Sequence, residues 1–248
     1  MKDTSWGKVS DWYDEVVEDK DSYQKKVILP NILRLVAPKS GVRVLDLACG
    51  QGFFSHEMAL LGADVVGVDI SPELIKLAKK GPGTFFVSPS ENLSVLAEKK
   101  FDAAFSVLAV QNIEDISKTF KEVSRVLESK GKFIIVLNHP AFRVPKKSSW
   151  GFDDSEKIQY RRIDEYLSES RAEIEMHPGM EKGNEKTISF HRPLQVYSKT
   201  LANAGFAISR VEEWTSHKKS QAGPRQIAEN KARKEIPLFM CLECLKLE

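Results

Sequence analysis

Three cysteines in 248 residues are too few for a disulfide framework. No apolar run approaches the roughly 18 residues that a bilayer-spanning helix needs. An excess of one charge is also missing. The 37 Lys and Arg against 35 Asp and Glu leave a net charge of +2, which argues against a chain whose main work is coating nucleic acid or an anionic membrane. The opening residues, Met1-Lys2-Asp3-Thr4-Ser5-Trp6-Gly7-Lys8, hold no apolar core of the kind a secretory leader requires. Internal repeats and low-complexity tracts are absent. These absences lead us to expect a cytoplasmic protein with reduced thiols, no membrane insertion and no nucleic-acid partner. What is present, 42% hydrophobic and 29% charged residues, suits one elaborated domain or two small ones with a sizeable core.

From residue 42 to 137 the chain alternates two textures. Runs rich in Val, Ile, Leu and Phe at 42–47, 64–68, 84–87, 101–107 and 132–137 end at Gly, Pro, Asp or Ser. Near-continuous apolar runs of this length are strands buried on both faces of a helix-covered parallel sheet. Amphipathic stretches at 53–61 and 72–80 lie between them, and Ile116, Phe120, Val123 and Leu127 recur at helical spacing. The alternation predicts a doubly wound α/β domain.

A helical pattern at 21–36, in which Pro30 starts or kinks a turn, precedes this region. After 137 the rhythm breaks. Residues 139–192 balance ten basic against ten acidic side chains, and the expectation is an insertion with short helices, such as 154–166, and a loop at 178–184. The α/β texture then resumes with a helix at 194–204 stopped by Gly205, a strand at 206–211 and a last strand at 237–247. The basic stretch 216–235 between those strands reads as a loop or helix. The chain thus divides into a helical N-terminal segment (1–40), a core (41–138 and 193–248) and an insertion (139–192), here called the cap.

The informative stretch is Val44-Leu45-Asp46-Leu47-Ala48-Cys49-Gly50-Gln51-Gly52-Phe53-Phe54-Ser55. A buried strand runs into a turn with glycines two apart and then into a helix. Glycine there lets a ligand approach the backbone, and the helix N-terminus offers unpaired N–H groups. Seventeen residues after Gly52, a second strand ends at Asp69, where an acid can accept both hydroxyls of a ribose. Together these features predict a nucleoside-containing cofactor. A dinucleotide site favours a third small residue where Ser55 stands. A carboxylate such as Asp46, four residues before Gly50, would repel a pyrophosphate. The same carboxylate suits the cationic methionyl end of S-adenosylmethionine.

Asp46-Leu47-Ala48-Cys49-Gly50-Gln51-Gly52 resembles the glycine-rich first motif of class I S-adenosylmethionine-dependent methyltransferases, and Asp69 falls where that family keeps its ribose-binding acid. The resemblance covers about residues 20–137, in the small-molecule branch that includes ubiquinone and menaquinone methyltransferases. It continues more loosely through Phe190-His191-Arg192-Pro193-Leu194, Ala204-Gly205-Phe206 and Val211-Glu212-Glu213. It implies a seven-stranded sheet of order 3-2-1-4-5-7-6, its last strand antiparallel and inserted between the fifth and sixth. It also implies methyl transfer from S-adenosylmethionine to a small-molecule acceptor. The cofactor would touch Tyr13 from the N-terminal segment, Asp46, Ala48, Gly50, Gln51 and Gly52, then Asp69 and Ile70 at the ribose and Leu108 beneath the methionyl group. In one place the chain departs from the family. Where an Asp-Ala pair often accepts the adenine amino group, this chain has Val87-Ser88-Pro89-Ser90-Glu91-Asn92-Leu93, leaving Ser90, Glu91, Asn92 or a backbone carbonyl for that task.

A base is needed only when the acceptor must lose a proton. His139, just past the fifth strand, is the first candidate and His191, before the helix that resumes the fold, the second. Trp12, Tyr13, Asp14 and Tyr23 are placed to close over the cofactor, and Gln111 to face the acceptor. Trp150, Phe152, Tyr160 and Tyr166 are expected as walls of the cap. Cys241 and Cys244, three apart on a strand, point to opposite faces, and no second ligand pair completes a metal site. The alternatives are an RNA or protein acceptor, supported only by the basic stretch, and a protein that binds the cofactor without transferring its methyl.

Overall fold

A computed structural model describes residues 19–98, 100–175 and 186–248. The expectations for Trp12, Tyr13 and Asp14 and for the loop at 178–184 lie outside these residues.

The chain opens with a π-helical turn, Gln24–Ile28, that runs into α1 (Leu29–Val36). Pro30 sits in the first turn of α1, where its missing N–H costs least. Then come β1 (Arg43–Leu47), α2 (Phe53–Leu60), β2 (Asp64–Asp69), α3 (Pro72–Ala78) and β3 (Thr84–Val87). They are followed by β4 (Phe101–Val107), α4 (Ile116–Val126) and β5 (Leu127–Asn138). Helix starts are marked by side chains: Ser71 Oγ accepts from Leu74 N (3.3 Å) at α3, and Asp115 Oδ1 from Lys118 N (2.9 Å) at α4. After the cap, α5 (Leu194–Asn203), β10 (Phe206–Trp214), α6 (Gln226–Glu235) and β11 (Phe239–Lys246) complete the core.

Seven strands form one sheet of order β3-β2-β1-β4-β5-β11-β10. Counting only sheet strands, β10 and β11 are the sixth and seventh, so the order is the 3-2-1-4-5-7-6 expected. β11 pairs antiparallel with both neighbours, and the remaining pairs are parallel. Successive strand residues feed opposite cores. Leu45, Val66, Ile135 and Leu242 pack with Phe120 and Leu201 on one face; Val44, Val65, Ile134 and Cys241 pack with Ile32 and Met58 on the other. Cys241 and Cys244 fall in different cores, as their spacing requires. Among the described residues no group of His, Cys, Asp and Glu could hold a metal, and no helix is long and apolar enough to cross a membrane.

The cap differs from expectation. It contains two antiparallel hairpins, β6 (Ser148–Asp153) with β7 (Ile158–Ile163) and β8 (Ser170–Glu175) with β9 (Lys186–His191). The helix expected at 154–166 is a turn at 154–157 followed by strand β7. Asp153 Oδ1 accepts from Ser155 N, Ser155 Oγ and Glu156 N at 2.9, 2.6 and 3.0 Å, and Lys157 takes a left-handed φ of 55°. That side-chain turn reverses the chain before a helix can nucleate. The basic stretch 216–235 is half helix, α6, packed against β7.

Candidate functional site

β1 lies inside the sheet, with β2 and β3 to one side and β4, β5, β11 and β10 to the other. The strand order reverses direction between β3 and β4. Open α/β sheets bind ligands outside the C-terminal strand ends at such a point. The loops after β1, β2, β3, β4 and β5 therefore emerge at one edge of the sheet.

The loop after β1 curls through three left-handed residues, Ala48 (φ 58°), Gly50 (φ 56°) and Gly52 (φ 85°). At Gly52 a Cβ would stand 2.9 Å from His56 Nε2 and 3.1 Å from Ala78 Cβ, so both conformation and space exclude a side chain. Asp69, 8% exposed, ties this loop to the next one: its Oδ2 accepts from Gly50 N and its Oδ1 from Ser71 N, both at 2.9 Å. Burial pushes the Asp69 carboxyl up, against the pull of the backbone bonds from Ser71, Gly50 and Ile70. Each carboxylate oxygen keeps a further lone pair, so the ribose role and the loop-tying role are compatible.

Asp46, on the last turnward residues of β1, is buried and accepts a 2.7 Å hydrogen bond from Ser55 Oγ. Burial raises its carboxyl to about 7; the Ser55 bond lowers it and the nearby charge of Asp69 raises it. A carboxyl poised at neutrality is drawn into its ionised form by a cation and repelled by an anion. The chemistry fits the ammonium and sulfonium of S-adenosylmethionine and not a pyrophosphate. Gln51 is buried in the same loop.

On the adenine side, Ser90 is buried and its Oγ donates to Glu91 Oε2 (3.0 Å). Asn92 is exposed, and its Oδ1 accepts from Ser94 N (3.1 Å), so its side chain serves the following turn. After β4, Leu108 adopts a left-handed φ of 53°, its N–H donating to Val136 O (2.8 Å) and its carbonyl accepting from Gln111 Nε2 (2.7 Å).

Gln111 and Asn138, from the ends of β4 and β5, also line a cavity of about 280 Å³ that runs under the cap. Its other walls include Arg143, Arg161, His191, Arg192 and Tyr197. Phe190 is the aromatic wall contributed by the cap; Trp150, Phe152, Tyr160 and Tyr166 are not among the lining residues. Strand alternation explains this: on β7, Arg161 faces the cavity, which turns its neighbour Tyr160 outward. Trp150 instead carries the Arg161 guanidinium at 5.2 Å, and Phe152 that of Arg225 at 4.4 Å.

The two histidines are held differently. His139 Nδ1 accepts from Ala141 N (3.2 Å), so Nε2 carries the proton and donates to Glu213 Oε1 (2.7 Å). Both nitrogens are thus committed to protein partners; burial lowers the imidazole, with Glu213 pulling the other way. His191 Nε2 donates to the Tyr166 carbonyl (2.7 Å), which fixes the tautomer and makes Nδ1 the basic nitrogen. Tyr166 is anchored in turn, its hydroxyl accepting from Leu194 N (3.0 Å). The arginines of the cavity, and Tyr197, whose hydroxyl burial pushes up to about 12, are residues that sequence reasoning did not single out. Their only signal was that Arg143, Arg161 and Arg192 fall inside the predicted cap.

Residues 45–135 match the family model described as a methyltransferase domain. An uncharacterized protein of Haemophilus influenzae is 27% identical over 74% of this chain and 74% of its own length. The ubiquinone biosynthesis O-methyltransferase of Xanthomonas oryzae pv. oryzae is 33% identical over 48% of this chain, and the match spans 55% of that enzyme. The crystal structure of an S-adenosylmethionine-dependent methyltransferase from Mesorhizobium loti superposes with a TM-score of 0.69 at 27% identity, covering 87% of this chain and 96% of that one. With the seven-stranded order, the left-handed glycine turn and the paired acids Asp46 and Asp69, these matches show a methyltransferase domain at residues 45–135 on a fold shared with S-adenosylmethionine-dependent methyltransferases.

Proposed function

We propose that this protein transfers a methyl group from S-adenosylmethionine to a small or medium organic acceptor bound under the cap, with residues 139–192 forming the cap and 1–40 the lid. One observation carries the proposal. Gln111, which lines the cavity under the cap, donates to the carbonyl of Leu108, the residue assigned in this reading to the floor beneath the cofactor. The match to a ubiquinone biosynthesis O-methyltransferase supports an acceptor of modest size.

S-adenosylmethionine supplies a methyl group already activated by its positive sulfur. The protein's share is to hold donor and acceptor in line and keep water away. In this reading Asp69 accepts the ribose hydroxyls through the lone pairs that Gly50 and Ser71 leave open. Asp46 meets the positive methionyl end, Ala48, Gly50, Gln51 and Gly52 shape the turn beneath it, Ile70 flanks the ribose, and Leu108 forms the floor. Ser90 and Glu91 border the adenine. If the methylated atom bears a proton, His191 Nδ1 accepts it, since both His139 nitrogens are engaged.

The test is a labelled-methyl screen against metabolite extract and bulk RNA. Label in a small-molecule fraction is expected. Label in RNA or protein would move the acceptor to that class. Tight binding of the demethylated product, S-adenosylhomocysteine, with no label transferred to any fraction would mark a non-catalytic binding protein.

A further inference from the structure

The cavity under the cap has an unbalanced charge. Arg143, Lys146, Arg161 and Arg192 line it, and no Asp or Glu is among its described lining residues. The arginines are not neutralised from behind either. Arg161 donates to the Phe142 carbonyl (2.9 Å) and Ser148 Oγ (2.6 Å), and Arg192 Nη2 to the carbonyls of Ile113 (2.9 Å) and Glu114 (2.7 Å). These are neutral acceptors, which orient a guanidinium without cancelling its charge. Arg192 is 6% exposed, and its Nη1 is buried with no hydrogen-bond partner among the described residues. Arg143 is half-buried, and its guanidinium makes no hydrogen bond or ion pair among the described residues. Burial lowers Arg143, and the charges of Arg161 and Arg233 lower it further.

The acids of the cap are elsewhere. Glu165 pairs with Lys147 (2.7 Å), Asp164 with Arg162 (3.0 Å) and Glu173 with Lys186 (3.5 Å), all on the exposed surface. Among the described residues these acids face outward while three guanidinium groups line the cavity. Gathering like charges in a partly buried cavity is unfavourable for the empty protein. Such an arrangement is held for a ligand that brings the missing charge, and a planar guanidinium fork matches a carboxylate or phosphate with two parallel hydrogen bonds.

We propose that the methyl acceptor is an organic anion, and that Arg143, Arg161 and Arg192 bind its carboxylate or phosphate group while Gln111 and His191 line the same cavity beside the atom to be methylated. This rests on the methyltransferase reading above and narrows its substrate class.

The experiment uses the full chain saturated with S-adenosylhomocysteine and three probes of similar shape: benzoate, phenyl phosphate and neutral benzyl alcohol. Titration calorimetry is run at two salt concentrations. At least one anion is expected to bind, more weakly at high salt, while benzyl alcohol binds at least 10-fold more weakly; the tighter of the two anions identifies carboxylate or phosphate. Arg143→Gln should weaken that anion by about 10- to 100-fold. It should leave S-adenosylhomocysteine affinity unchanged and the melting temperature of the ligand-free protein equal to or above that of the wild type. A melting temperature that does not fall separates a binding role from a structural one, because loss of a structural arginine would lower it, and a fall together with unchanged anion affinity would overturn the proposal.

Equal binding of benzyl alcohol and the anions would overturn the proposal, as would an Arg143→Gln variant that keeps wild-type anion affinity. If Arg143→Gln weakened S-adenosylhomocysteine as much as the anion, the arginines would serve the cofactor carboxylate and the acceptor assignment would fall. A wild type that bound the anions but not S-adenosylhomocysteine would overturn the methyltransferase reading and leave an anion site of another kind.

Discussion

Asp46 offers a prediction in which stability and cofactor binding move in opposite directions. Its carboxyl is buried against one hydroxyl, and burial raises it from 3.8 to about 7. The unfolded chain releases this proton near its ordinary value, whereas the folded chain holds it until about pH 7. Between those limits the unfolded state binds fewer protons, so the contribution of Asp46 to stability falls as pH rises and levels off above about 7. Three pK units at 1.36 kcal/mol each put the full penalty at about 4 kcal/mol by pH 8, against about 1.5 kcal/mol at pH 5. Asp46→Asn removes the titration. The new amide nitrogen, if left unpaired, subtracts roughly 1–3 kcal/mol at every pH, so the diagnostic is the slope of the difference and not its offset. Urea unfolding of wild type and variant at pH 5, 6, 7 and 8 should show the variant gaining about 2–3 kcal/mol relative to wild type from the lowest pH to the highest. Calorimetry on the same proteins should show wild-type affinity for S-adenosylhomocysteine weakening below pH 7 and the variant binding poorly throughout. A stability difference that stayed flat from pH 5 to 8 would refute the argument from burial. A variant with wild-type cofactor affinity would remove Asp46 from the methionyl site.

Asp69→Ala should weaken S-adenosylhomocysteine at least 100-fold, since it deletes two charge-assisted ribose bonds worth about 1.5–3 kcal/mol each; calorimetry showing wild-type affinity would end the ribose assignment. The same substitution strands the N–H groups of Gly50 and Ser71, so a loss of about 1–3 kcal/mol in urea unfolding should accompany it. Gly52→Ala should destabilise the fold by about 1–2 kcal/mol because of its left-handed φ and displace His56 from the Ala78 carbonyl, to which it is bound at 2.8 Å. A thermal melt matching the wild type would show that the turn relaxes. If the acceptor is a hydroxyl or acidic carbon, His191→Ala should cut single-turnover rates by about 100- to 10,000-fold with cofactor affinity unchanged. His139→Ala should instead lower stability through its bonds to Glu213 and Ala141; the reverse pattern would restore His139 as the base.

The charge on the cap shows how a correct count can mislead. Ten bases and ten acids suggest an electrically bland segment. Pairing in space decides otherwise, because period-two alternation along β7 sends Arg161 inward and its neighbours to the surface. The same alternation removed the expected aromatic walls. The expectation of a helix at 154–166 failed for a local reason. The Asp153 turn reverses the chain with side-chain bonds, and Ile158, Tyr160 and Arg161 are compatible with either period over so short a run.

By itself the sequence determined the parallel strands and the helices between them; the strand order followed from the resemblance to a known family, and the glycine turn and Asp69 marked the candidate crevice. Strands buried on both faces are written as continuous apolar runs, and the helices between them as amphipathic ones. The glycine turn and Asp69 are local signals at fixed distances from strand ends, so they survive without knowledge of what packs where. Only the tertiary structure assembled the cavity under the cap. Arg143, Arg161, His191 and Arg192 are spread over fifty residues of the chain and become one cavity only when two hairpins fold onto the ends of β4 and β5. The choice between His139 and His191 was also tertiary. Ring nitrogens are distinguished by their partners, and those partners, Glu213 for one and the Tyr166 carbonyl for the other, lie 74 and 25 residues away along the chain.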